Sequence, residues 1–128
     1  MTKAGGMDGR PDAFEERERA FEAKYRHDEE IAFKVDARCA RLLGQWVAGQ
    51  IGLAGEAAEA YAQSAREADL ARPNHVGLIQ KLLADLLAHG IAVDEGKLRA
   101  LRERLLGEAK AQILGELGSG RQRLEPGL

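Results

Sequence analysis

Between residues 12 and 52 no proline and no turn signal interrupts the chain, and this run constrains the fold more than any other feature. With Asp12 as N-cap and Gly52 as stop, it allows a helix of up to about 39 residues, about 58 Å long. The chain has 128 residues, the size of one domain with one core. Such a domain cannot cover a rod of that length, so the first turns must project, fray or kink. Charged residues make up 31% and aromatic residues 5% of a composition rich in Ala, Leu, Glu and Arg. That balance favours helices, and the expected class is all-α.

On a wheel of 100° per residue, Phe14, Phe21 and Tyr25 fall on one narrow stripe, with charged residues around most of the remainder. The stripe meets Asp28 and Glu29, then resumes with Ala32, Val35, Cys39, Leu42, Leu43, Trp46 and Val47. Carboxylates in the stripe argue against burial there, which places a junction between arm and bundle near residues 26–30. An isolated helix of the arm's length is marginal in water, so partial helix or disorder is expected before binding. Periodicity alone leaves two readings open for the aromatics: a ridge that fits a partner's groove, or ordinary core.

Beyond Gly52 a second helix is expected from about Glu56 to Ala71, with Ala57, Tyr61, Ala65 and Ala68 on one side. Pro73 and Asn74 break the chain. A third helix runs from about His75 to His89, where Val76, Leu78, Ile79, Leu82, Leu83, Leu86 and Leu87 cover a broad arc. Gly90 stops it, Asp94 caps the next start, and Leu98, Leu101, Leu105, Ala109 and Ile113 define a fourth helix to about Leu117. The expected architecture is a small four-helix bundle with a long first helix and a mobile N-terminal arm. Its divisions are a disordered extension over residues 1–13, an arm over 14–27, the bundle over 28–117 and a disordered tail over 118–128.

Net charge is −2 with a pI of about 5.9, and no strongly basic face offers itself to nucleic acid. Charge is uneven: residues 12–30 hold eight acidic and four basic side chains, and residues 98–124 hold three acidic and six basic. The single cysteine, Cys39, excludes an intrachain disulfide and suits a reducing compartment. No apolar run approaches the ~20 residues that span a membrane, and residues 1–11 lack a signal-peptide apolar segment, so a soluble, cytoplasmic protein is expected.

No catalytic set assembles. His27, Asp28, Glu29 and Glu30 point in four directions around a helix, and His27 has no second His or Cys at i+3 or i+4. His75 and His89 flank the third helix and serve its ends. Cys39 lies on an apolar stripe with no activating cation at i±4. Gly5, Gly6 and Gly9 follow no strand and form no phosphate loop. The chain is therefore read as no enzyme, with no metal and no cofactor.

The wording of several segments carries more. FEERERAFEAKYRHDEE (residues 14–30), IAFKVDARCARLLGQWVAGQIGL (31–53), AEAYAQ (58–63), IQKLLADL (79–86) and GIAVDEGKLR (90–99) together resemble the zeta subunit of alphaproteobacterial F-type ATP synthases. That subunit is the ATPase inhibitor of those enzymes. The likeness runs collinearly over about residues 14–117. It implies a regulatory subunit that inhibits ATP hydrolysis by inserting its N-terminal arm at a catalytic α/β interface of the head, against the rotor γ subunit. The implied partner is thus the catalytic head with its α, β and γ subunits, and the implied location is peripheral to the inner-membrane synthase. Carried over position by position, the partner-binding residues are Phe14, Glu15, Glu16, Arg17, Glu18, Arg19, Ala20, Phe21, Glu22, Ala23, Lys24 and Tyr25. The alternative class is a non-catalytic helical adaptor or nucleotide-responsive regulator acting through the bundle.

Overall fold

The computed structural model describes residues 13–123, with side chains through residue 118. Four α-helices follow one another, α1 (Ala13–Gln50), α2 (Gly55–Ala71), α3 (Val76–Ala88) and α4 (Glu95–Arg123), with a 3₁₀ turn at Pro73–His75 between α2 and α3. There is no strand among the described residues. By internal contacts the chain divides into two units, one ending at Phe33 and one beginning at Lys34, and α1 contributes to both.

In the first unit α1 is helical from Ala13, where the sequence suggested partial helix or disorder before binding. The local reasons are legible: Glu15 and Glu16 occupy the first turn, where the helix dipole favours carboxylates. Lys24 Nζ reaches Asp28 Oδ2 at 3.1 Å across one turn, a pairing that supports exposed helix modestly. Every residue from 13 to 30 is exposed. The first buried residue of α1 is Val35, and the first fully buried one is Cys39, both beyond the junction expected at residues 26–30.

The second unit is built around Ala40, Leu43, Val47, Ala65, Leu78, Ile79, Leu82, Leu86 and Leu98, with Trp46, Tyr61, Leu101 and Leu105 packed against them. Both turns expected at glycine take one form. Gly52 sits at φ +87°, its N–H donates to the Gly49 carbonyl at 3.2 Å, and the Leu53 N–H donates to the Ala48 carbonyl at 2.8 Å. Gly90, at φ +78°, repeats this with Leu87 and, through the Ile91 N–H, Leu86, both at 2.9 Å. These are Schellman caps, in which a left-handed residue closes the last free carbonyls of a helix. At the start of α4 the Asp94 carboxylate accepts the Gly96 N–H at 2.8 Å, the N-cap read from the sequence.

Several details differ from the sequence reading. Leu87 is 66% exposed, because it lies about 140° around α3 from Leu82, farther than one core face extends. The small face of α2 is rotated: Ala62 and Ala65 are buried while Ala57 is exposed. Ala32 is also exposed, although its stripe was expected to have resumed there. The final helix continues past Leu117 to Arg123; Gly118 stands in open space and costs the helix only propensity. The extension over residues 1–12 and the tail beyond residue 123 lie outside the described residues. Arg102 is 6% exposed on the otherwise apolar side of α4. Its Nη2 lies 3.7 Å from Asp36 and its Nη1 donates to Glu103 at 3.2 Å, while Nε is buried without a partner among the described residues.

Candidate functional site

The twelve residues singled out in the arm all lie on exposed turns of α1. Helical geometry brings only part of them together. Phe14, Phe21 and Tyr25 form a ridge within about 40° of arc, and they are 64%, 74% and 60% exposed. None belongs to the core cluster. Arg17 and Lys24 border the ridge on one side, and Glu18 and Glu22 border it on the other, with Glu15 farther round the acidic side. Glu16, Arg19, Ala20 and Ala23 fall on the opposite face, so the arrangement does not bring them to the ridge. Arg17 Nε points back to the Ala13 carbonyl at 3.4 Å.

Two recesses lie along this ridge. Phe14, Arg17, Glu18, Phe21 and Glu22 line one, and Phe21, Glu22, Tyr25, Arg26 and Glu29 line the next. Each is the space between side chains of a single helix, with no second wall to enclose a small molecule. What they can receive is a side chain of a partner, a knob entering between rings spaced two turns, about 10.5 Å, apart. The second recess takes in Arg26 and Glu29, beyond the residues read as the arm; Glu29 continues the flank of Glu18 and Glu22, while Asp28 is an acid on the side of Arg17 and Lys24. The same wheel carries the signal for both.

The bundle holds a second polar cluster. Tyr61 Oη donates to Asp85 Oδ2 at 2.6 Å, Lys81 Nζ donates to the same oxygen at 2.9 Å, and the Lys81 ammonium stands 4.7 Å from the centre of the Tyr61 ring. Burial and the hydrogen bond to Asp85 both push the Tyr61 hydroxyl up. Burial acts to raise Asp85, but the hydrogen bonds from Tyr61 and Lys81 outweigh it and hold the carboxyl below its usual range. His89 Nδ1 lies 2.9 Å from the Asp85 carbonyl and caps the end of α3. At the other end His75, at φ +60°, pairs with Asp69 at 2.8 Å. These groups satisfy one another across α2 and α3, which is the pattern of a staple between helices rather than of an open site.

Cys39 is fully buried, its Sγ 3.5 Å from the Arg102 carbonyl. Burial raises its pKa to about 11, against a smaller lowering by Arg102. A thiol held neutral in this way is not a nucleophile. Among the described residues no three His, Cys, Asp or Glu side chains converge as a metal site would require, and no helix is long and apolar enough to cross a membrane.

A family model described as ATPase inhibitor subunit zeta matches residues 12–112 of the chain, a span that takes in the ridge and most of the bundle. No curated protein matches it.

Proposed function

The chain belongs to the ATPase inhibitor subunit zeta family, whose members are regulatory and non-catalytic, and from that premise we propose that it inhibits hydrolysis by inserting its arm at a catalytic α/β interface of an F-type ATP synthase, against the rotor γ subunit. The observation that supports this most is the aromatic ridge: three large rings, each more than half exposed, on a helical segment whose side chains are otherwise mostly polar. Exposed rings at this spacing are costly surface for a free chain and productive surface for a bound one.

Burying Phe14 and Phe21 in apolar pockets contributes about 1.5–3 kcal/mol each. Arg17 pairs with a carboxylate of the head, a contact that strengthens as water is excluded. The bundle, whose core is complete without the arm, stays outside and limits how far the arm enters. Rotation in the hydrolysis direction tightens the wedge, and rotation in the synthesis direction expels it.

The experiment is ATP hydrolysis by a synthase freed of its own zeta subunit, with added full-length chain or a version beginning at His27, which keeps every buried residue. Loss of hydrolysis with the full chain and not with the shortened one is the expected result. Inhibition by both would move the activity to the bundle, and inhibition by neither would sink the reading.

A further inference from the structure

The ridge has two sides of opposite charge, and they say what kind of surface receives it. Measured around α1 from Phe14, Arg17 and Lys24 lie at about −60° and −80°, whereas Glu18, Glu22 and Glu29 lie at about +40°, +80° and +60°. Asp28, at about −40°, lies on the basic side one turn beyond Lys24 and pairs with it, so the split is clean over the two turns from Arg17 to Lys24. It is sharper on the acidic side, because Lys24 already shares its charge with Asp28 at 3.1 Å. The recess between Phe14 and Phe21 has Arg17 on one edge and Glu18 and Glu22 on the other.

Resting on the inhibitory reading above, we infer that the groove of the ATP synthase that takes this arm is electrically polarised: an apolar floor for Phe14 and Phe21, a basic lip facing Glu18, Glu22 and Glu29, and an acidic lip facing Arg17 and Lys24. Such a groove accepts the helix in one direction only. Turning the arm end for end exchanges its flanks and sets like charges opposite each other, which is how charge patterns select orientation and register.

A second copy of this chain is the rival occupant, and the same pattern disfavours only its antiparallel arrangement. In a parallel two-fold pair of arms, ridge against ridge, each acidic flank meets the basic flank of the other copy, so sedimentation rather than charge separates that pair from the groove. In an antiparallel pair each flank meets the same flank, acid to acid and base to base.

The test uses the full chain and the holoenzyme freed of its own inhibitor, reading the concentration for half-maximal inhibition at low and high salt. Three variants are compared: Arg17→Glu with Lys24→Glu, Glu18→Lys with Glu22→Lys, and all four together, which exchanges the flanks at constant net charge. Gln replacements at the same pairs remove charge without adding repulsion along the helix. A polarised groove makes each reversal, and the exchange, roughly tenfold weaker or more at low salt, with the Gln pairs intermediate and the differences shrinking at high salt. If only total charge matters, the two reversals move inhibition in opposite directions and the exchange changes nothing; that overturns the inference. So does indifference to all three while Phe14→Ala with Phe21→Ala weakens inhibition, an outcome that leaves the inhibitory reading standing alone. Failure of the unaltered chain to inhibit removes both. A wild-type dimer in sedimentation that the reversals dissolve would give the ridge to a second copy and overturn the inference as well.

Discussion

At the residue scale, Cys39 ties burial to a measurable pH dependence. The side chain is fully buried, and its pKa stands near 11 against an ordinary value of 9.0. A group whose folded pKa is raised adds stability that is complete below the unfolded value and is lost as pH climbs toward the folded one. The unfolded thiol ionises first, so the folded state should weaken between about pH 9 and pH 11, and Cys39→Ala should remove that part of the slope. Denaturant midpoints across this range are the check. At neutral pH the thiol should react with a disulfide reagent only as fast as the bundle opens. Arg102 is the opposite kind of residue: a charge within the apolar stripe of α4, at i+4 from Leu98 and i−3 from Leu105, so its position and not its type marked it for burial. Its burial follows from a long side chain that carries its head toward Asp36 and Glu103 while its stem lies in the core.

At the element scale, two helical glycines predict opposite outcomes for the same substitution. A Cβ on Gly44 would stand 2.9 Å from both the Ala62 Cα and the Ala65 Cβ, where α1 packs against α2. One of those atoms is backbone, so the helices must separate. Alanine's advantage in helix propensity, about 1 kcal/mol, is outweighed by overpacking, about 1–3 kcal/mol. Gly107 is exposed in α4 and a Cβ there meets nothing within 4 Å, so only the propensity gain remains. Gly44→Ala should lower the melting temperature by several degrees and Gly107→Ala should raise it, a difference in sign that one calorimetric series settles. Helix ends were the most legible elements, because Gly52, Gly90 and Asp94 each do one local job that needs no partner helix. The face of α2 was not legible for a related reason. Alanines at positions 57, 58, 60, 62, 65 and 68 surround the helix, so periodicity cannot choose a side, and the choice falls to the close contact with Gly44.

At the scale of the whole molecule, the residues divide by what they do. Among the described residues every buried one lies at or beyond Val35, and the three ridge aromatics all lie before Phe33. In the sequence the division rests on the carboxylates Asp28 and Glu29, which interrupt the apolar stripe, and Ala32, which suits a core and a surface equally, gives periodicity no finer mark. The ridge itself was legible from spacing, whereas four of the twelve carried-over positions, Glu16, Arg19, Ala20 and Ala23, fall on the far face of the helix. On the proposed function, the division separates stability from inhibition. Phe14 and Phe21 are 64% and 74% exposed in the free chain, so truncating them removes almost no buried surface, and the Phe14→Ala, Phe21→Ala double variant should unfold within about 0.5 kcal/mol of the parent. In the proposed complex the same rings are buried, and each lost ring costs about 1.5–3 kcal/mol, one to two powers of ten in the inhibitory concentration. Unchanged melting with inhibition weakened a hundredfold or more is therefore the expected pair of results. A fall in melting temperature that tracks the loss of inhibition would mean that the rings hold the free chain together, and the ridge would then be core rather than contact.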